Sequence, residues 1–156
     1  MTTSEVDRYT DWNSYFMAMS RLVAKKSKDP SVQVGVVIVG PDNEVRSTGY
    51  NGFPRGVDEN IPERWERPMK YDFVEHAERN AVYNAARMGT PLAGCIAYME
   101  SPPCKDCGRA LMQAGIKEVV VTTNNPFKDR ADWAESIKFA CDLLEEGGVK
   151  VTWTDL

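Results

Sequence analysis

The chain has a single histidine among 156 residues. Any site that needs an imidazole is therefore already fixed at His76. No apolar run approaches the roughly 20 residues of a membrane-spanning helix, which excludes that class. Positive charge is not in excess either. Lys and Arg number 19 against 23 Asp and Glu, a net charge of −4. Nucleic-acid binding over a broad basic surface needs clustered cations, and this balance argues against it. The opening Met1-Thr2-Thr3-Ser4-Glu5-Val6-Asp7 has no basic stretch leading into an apolar one, so no secretory leader and a cytoplasmic location are expected. In that compartment the four Cys are metal ligands or thiols rather than disulfides. Repeats, low-complexity tracts and linkers are missing too. One domain over residues 1–156 is expected, long enough to bury a core without disulfide staples.

What is present alternates between two periodicities. Tyr15, Phe16, Met19, Leu22 and Val23 recur at helical spacing over 11–26, behind Asp11 as an N-cap. Val32 to Val39 is a β-branched run bounded by Pro30 and Gly40-Pro41, and Glu44 to Tyr50 returns as the second arm of a hairpin. Residues 51–74, broken by Pro and Gly, are expected to form a long loop, which in a compact domain is usually functional or disordered. Further helices are predicted over 75–88, 104–114 and 130–146, and strands over 95–100, 119–123 and 149–154. The order α-β-β-α-β-α-β-α-β predicts a five-stranded mixed sheet with helices on both faces, a three-layer α/β/α domain whose C-terminal half pairs in parallel.

The chemistry concentrates in His76-Ala77-Glu78 and Pro103-Cys104-Lys105-Asp106-Cys107. A catalytic zinc keeps three protein ligands and one open position, and His76, Cys104 and Cys107 supply three. The two Cys lie about one helical turn apart and can face one ion. Both segments open predicted helices, where N–H groups and the dipole favour thiolate. Residues two apart in mid-helix diverge by about 200°, so His76 and Glu78 can share a site only over the first turn. The pattern predicts two helix N-termini meeting at one metal. Zinc with two thiolates and a neutral imidazole sums to zero charge, which leaves water ionisable near pH 7. Glu78 is then free to move protons.

Taken alone, His-x-Glu is a weak signal, and Cys-x-x-Cys also suits a redox pair or half a structural zinc site. A structural zinc would want a fourth ligand from Cys95 or Cys141, which otherwise pass for buried thiols. The combination, 28 residues apart in an α/β chain, is the known signature of zinc nucleobase deaminases.

The chain resembles the cytidine-deaminase-like superfamily and, within it, the deoxycytidylate deaminases, over about residues 12–153. The resemblance rests on Ser27-Lys28-Asp29-Pro30, Val34 to Val39, Gly49-Tyr50-Asn51-Gly52-Phe53-Pro54-Arg55-Gly56, His76 to Ala81, the Cys104/Cys107 segment and Gln113 to Val119. It implies a cytidine-deaminase-like fold that hydrolyses dCMP to dUMP and ammonia for thymidylate synthesis. Zinc-bound hydroxide attacks C4, and Glu78 shuttles protons. It also implies that Asn51 and Ala77 contact substrate, with Asn51 on the sugar. Family members are often homohexamers activated by dCTP, with which Mg2+ is expected, and inhibited by dTTP, through a segment matching Gly49, Tyr50, Asn51 and Gly52. Ser27 and Lys28 are the first expectation for the 5′-phosphate, with Arg21, Lys25 and Lys26 nearby and Arg55 as an alternative or effector ligand. Some members carry a second zinc before the His, but residues 52–75 hold no Cys or other His, and Glu75 stands where Cys is common. One zinc per chain is expected, with Trp65, Tyr71 and Phe73 anchoring the loop or covering the base. Trp133 and Trp153 are expected in the core or at subunit contacts. The alternatives are a deaminase of dCTP or of tRNA adenosine, the latter opposed by the acidic balance, and a zinc-stabilised module without activity, opposed by Glu78.

Overall fold

Asp11 starts the first helix as its side chain predicts. Its carboxylate accepts from the Ser14 N–H at 2.8 Å, and α1 runs Trp12–Ala24. The computed structural model describes residues 8–127 and 129–156. The face that α1 buries is turned slightly from the expected one: Phe16, Met17 and Ser20 are buried, while Tyr15 and Leu22 are exposed. Met17 takes the place of Leu22 against the sheet, because Val37, Val39, Tyr98 and Val120 meet the helix on the stripe that holds Phe16.

The hairpin follows as β1 (Gly35–Val39) and β2 (Val45–Tyr50). Asn43 turns it in the left-handed region at φ 62. After a long connection come α3 (Ala77–Met88), β3 (Ile96–Met99), α4 (Lys105–Gln113), β4 (Glu118–Thr122), α5 (Ala131–Glu146) and β5 (Lys150–Thr154). The sheet order is β2-β1-β3-β4-β5. β1 is antiparallel to both neighbours, and β3, β4 and β5 pair in parallel. This is the mixed, three-layer arrangement the element order predicts. All five residues of β1 are buried, because α1 lies on one face and α3 on the other. Val36 and Ile38 join Ala77, Ala81, Leu111, Val119 and Leu144 on the second face, beneath α3, α4 and α5.

Two glycines let helices lie flush on the hairpin. A Cβ on Gly35 would stand 2.1 Å from the Ser20 carbonyl, and one on Gly49 would stand 2.3 Å from that of Ala77. Gly49 is therefore a packing residue under the first turn of α3.

Because β2 and β3 both oppose β1, they run in the same direction. Their C-terminal ends, and the residues leading into β1, meet at one edge of the sheet. The long segment after β2 also returns to that edge. It is not featureless: it holds a 3-10 turn at Pro62–Trp65 and a single-turn helix, α2 (Lys70–Phe73), both too short for periodicity to reveal. Phe53 stacks on Trp65 at 4.2 Å and on Phe73 at 5.2 Å, and the Arg64 guanidinium sits 4.8 Å from the Phe73 centroid. Trp65 and Phe73 thus anchor the loop. A buried ion pair completes the attachment. Lys70 Nζ donates to Asp29 Oδ2 at 2.9 Å and Oδ1 at 3.1 Å, with side chains 6% and 3% exposed. Asp29 also accepts from the Ser31 and Val32 N–H groups and from Asn51 Nδ2. No helix among the described residues is long and apolar enough to cross a membrane.

Removing one partner of a buried pair strands the other charge, whereas an exposed pair is worth little. Lys70→Met is expected to cost about 3–5 kcal/mol of unfolding free energy in urea denaturation. Lys28→Ala, which breaks the exposed pair with Glu59, should cost less than about 1 kcal/mol. Equal losses would disprove the account of the Asp29–Lys70 anchor.

Candidate functional site

The edge of the sheet built above gathers the three metal-ligand residue types. His76 is the N-cap of α3 and Cys104 the N-cap of α4, both in extended conformation, and Cys107 lies on the first turn of α4. His76 Nδ1 stands 3.5 Å from Cys104 Sγ and 3.4 Å from Cys107 Sγ. All three donor atoms lie within 4.8 Å of one another. A tetrahedral zinc with bonds of roughly 2.3 Å to sulfur and 2.0–2.1 Å to nitrogen separates those donors by about 3.5 Å. The donor set therefore fits zinc in type, number and spacing, and among the described residues it offers three ligands.

The electrostatics favour anionic sulfur. Cys104 is held down to about 4 by a hydrogen bond from the Cys107 thiol, against the effect of burial, with His76 and the Cys107 backbone N–H adding to it. Cys107 is correspondingly pushed up by Cys104 and by burial. His76 is raised, first by its contact with Cys104. Arg79 Nη1 reaches Cys107 Sγ at 3.7 Å and is itself gripped by Glu75, which also accepts from the His76 N–H at 2.9 Å. Glu75 thus orients the ligand that follows it and the cation behind the two sulfurs.

Glu78 is 5% exposed and lies on the first turn of α3, beside the three ligands but outside their set. Burial pushes its carboxyl above the usual carboxylate range, a shift the neighbouring His76 opposes. It shares a cleft of about 750 Å³ with His76, Ala77 and Cys104. Asn51 also lines this cleft and is pinned from both ends: its Oδ1 accepts from the Val34 N–H at 2.8 Å, and its Nδ2 donates to the Val32 carbonyl at 2.9 Å. One lone pair of that oxygen remains for a ligand hydroxyl.

Other expectations are redistributed. Ser27 and Lys28 do not line the cleft. Ser27 is buried and donates to the Asn51 carbonyl at 2.7 Å, and Lys28 turns outward to Glu59. Arg21 pairs with Glu100, and Lys25 and Lys26 are exposed away from the cleft. The cations that do line it are Arg67, Lys70 and Arg130. Tyr71 lines it as well, unlike Trp65 and Phe73. Trp133 is half-buried beside the cleft rather than in the core: its ring is 5.9 Å from that of His76, with Phe127 stacked on it at 5.3 Å. None of Phe127, Arg130 or Trp133 belongs to a motif, so only their position after β4 reveals them.

The Gly49–Gly52 segment is divided. Asn51 faces the first cleft, while Tyr50 and Gly52 line a second one of about 840 Å³ with Arg55, Glu75 and Asn80.

With this geometry the comparisons can be placed. The model of the cytidine and deoxycytidylate deaminase zinc-binding region matches residues 10–123. The chain belongs to this family. It is 43% identical over 121 residues to the deoxycytidylate deaminase of Pongo abelii, covering 73% of this chain and 66% of that one. The Homo sapiens protein is 42% identical over 120 residues, with the same coverage. The chain thus spans about two thirds of the length of these relatives, slightly less in fact. An uncharacterized deaminase of Aliivibrio fischeri is 38% identical over 93% of this chain and 95% of its own. In structure, the dCMP deaminase of cyanophage S-TIM5 in apo form matches with a TM-score of 0.71 at 25% identity, over 94% of this chain and all of the phage chain. The phage enzyme in complex with dCMP and dUMP matches with a TM-score of 0.75 at 24% identity, which bears on the fold.

Cys104→Ala removes one of three ligands. The purified variant should lose stoichiometric zinc by elemental analysis while keeping its far-UV circular dichroism. Full zinc content in that variant would refute the ligand assignment.

Proposed function

We propose that the chain hydrolyses dCMP to dUMP and ammonia, as a single catalytic domain holding one zinc through His76, Cys104 and Cys107. The observation that carries this reading is Glu78: a buried carboxyl, outside the ligand set, lining the same cleft as His76 and Cys104. A structural metal site has no use for such a group. The naming of the Pongo abelii and Homo sapiens relatives as deoxycytidylate deaminases supports dCMP as the substrate.

When bound, zinc supplies a Lewis acid that makes water acidic near neutral pH. The chain's own residues do the rest. Glu78 accepts a proton from the attacking water as the new C4–O bond forms, and it delivers that proton to ring N3. It then carries the second proton of that water to the amino nitrogen, the C4–N bond breaks, and ammonia leaves. Its raised pKa suits a group that must both take and give a proton. Asn51, held by Val32 and Val34, receives a sugar hydroxyl on Oδ1. Ala77 closes the floor beneath the base, and Trp133 with Phe127 forms an aromatic wall beside it. The cationic lining favours a nucleotide over a free base. Regulation belongs to the same reading. dCTP with Mg2+ activates and dTTP inhibits from the second cleft, in a homohexamer, and the product feeds thymidylate synthesis in the cytoplasm.

Glu78→Gln should keep zinc and fold but lose about 10²–10⁴-fold in turnover, measured as ammonia released from dCMP. Retained turnover in that variant would remove the proton-shuttle role. Wild-type protein that carries zinc yet releases no ammonia from dCMP, with or without dCTP and Mg2+, would overturn the substrate assignment.

A further inference from the structure

The reading above leaves the phosphate without a receptor, since Ser27 and Lys28 lie outside the cleft. Charge along the cleft is unevenly placed. Its acidic lining residues are Asp29 and Glu78, and Asp29 is neutralised by Lys70. Arg67 and Arg130 remain, in a chain whose net charge is −4. They arrive from different segments: Arg67 precedes α2, and Arg130 is the residue before α5. Both approach the Tyr71 phenol. Burial raises the pKa of that phenol, but the two guanidinium groups, Arg130 first, lower it overall. Arg67 makes no ion pair among the described residues, and the Arg130 pair is with the exposed Asp132 at 2.8 Å.

We infer that Arg67 and Arg130, which line the cleft with Tyr71, form a two-segment clamp that binds the phosphate of the substrate. The inference rests on the nucleotide reading of the cleft and assigns its phosphate end. Distance supports it. Arg130 lies 5.7 Å from the Trp133 ring, and that ring lies 5.9 Å from His76, so one aromatic ring separates the guanidinium from the imidazole and both face the same cleft. Guanidinium forks suit phosphate oxygens, and two of them match a dianion. The clamp is also held in place before ligand arrives. Arg67 and Tyr71 flank Lys70, which the buried bond to Asp29 ties to the lead-in of β1.

The test is calorimetry of zinc-loaded protein with dUMP and with deoxyuridine, which differ only in the phosphate. Wild type should prefer dUMP. Arg67→Ala and Arg130→Ala should each reduce that preference by about 10- to 100-fold, the range for a hydrogen bond to a charged group. Arg67→Lys and Arg130→Lys should recover part of it, and they serve in place of any alanine variant that does not fold. Equal weakening of both ligands, no effect of either arginine, or a selective loss in Lys28→Ala would overturn the clamp. Ammonia release from dCMP is measured separately. Turnover with arginine-insensitive dUMP binding overturns the clamp alone. Arginine-dependent dUMP binding without turnover keeps the clamp and overturns the proposed reaction.

Discussion

Two helix N-termini have to meet within bonding distance of one ion, and the rest of the structure serves that meeting. His76 and Cys104 occupy equivalent N-cap positions, with their donor atoms 3.5 Å apart. The sheet order makes this possible. β1 is antiparallel to β2 and to β3, so the chain leaves both strands that flank β1 at the same edge, and α3 and α4 begin there. The same reversal brings the residues before β1 to that edge, which is why Asp29, Val32 and Val34 line the cleft. Ligands in open α/β sheets lie outside the carboxyl ends of strands for this reason. Gly49 sets the height of α3 above the sheet, and with it the position of His76, since any side chain there would collide with Ala77 and Ala81.

The segment between β2 and α3 shows how a long connection is ordered without a metal of its own. Aromatic stacking of Phe53 on Trp65 and Phe73 supplies area, and the Asp29–Lys70 pair supplies register. The pair is buried and multiply hydrogen-bonded, so its desolvation is offset by Ser31, Val32 and Asn51 as well as by the ionic contact itself. One carboxylate thereby fixes Asn51 and the cation-bearing loop together. A neutral pair could pack as well, but it would not orient Asn51 through the same atoms.

The ligand triad and Glu78 were legible because their chemistry is carried by residue type and short spacing, and a single histidine removes any choice. The hairpin and the parallel half were legible from β-branched runs and helix stops such as Gly89 and Gly115. Which cations line the cleft was not. Lys28 sits in a motif and points to Glu59, whereas Arg67, Lys70 and Arg130 sit in none and line the cleft. Which way a long cation turns depends on which carboxylate the fold places beside it, and that is a tertiary fact. Trp133 lies on an amphipathic helix, where sequence points only to a core or a subunit contact, and periodicity puts Leu22 inside because it defines a stripe only to within one residue.

The division of Tyr50, Asn51 and Gly52 between two clefts bears on the regulatory part of the proposed function. Successive residues at the end of a strand face opposite ways, so the first cleft receives Asn51 while its neighbours face the second. Gly52 exchanges backbone hydrogen bonds with Glu75 at 2.8 and 3.1 Å. Glu75 lines the second cleft, caps the His76 N–H and grips Arg79, whose other end reaches Cys107. Glu75 is therefore one hydrogen bond from the His76 backbone and, through Arg79, two contacts from the Cys107 sulfur. The path is short because Glu75 occupies a position where a metal-binding Cys would leave no carboxylate to make these contacts.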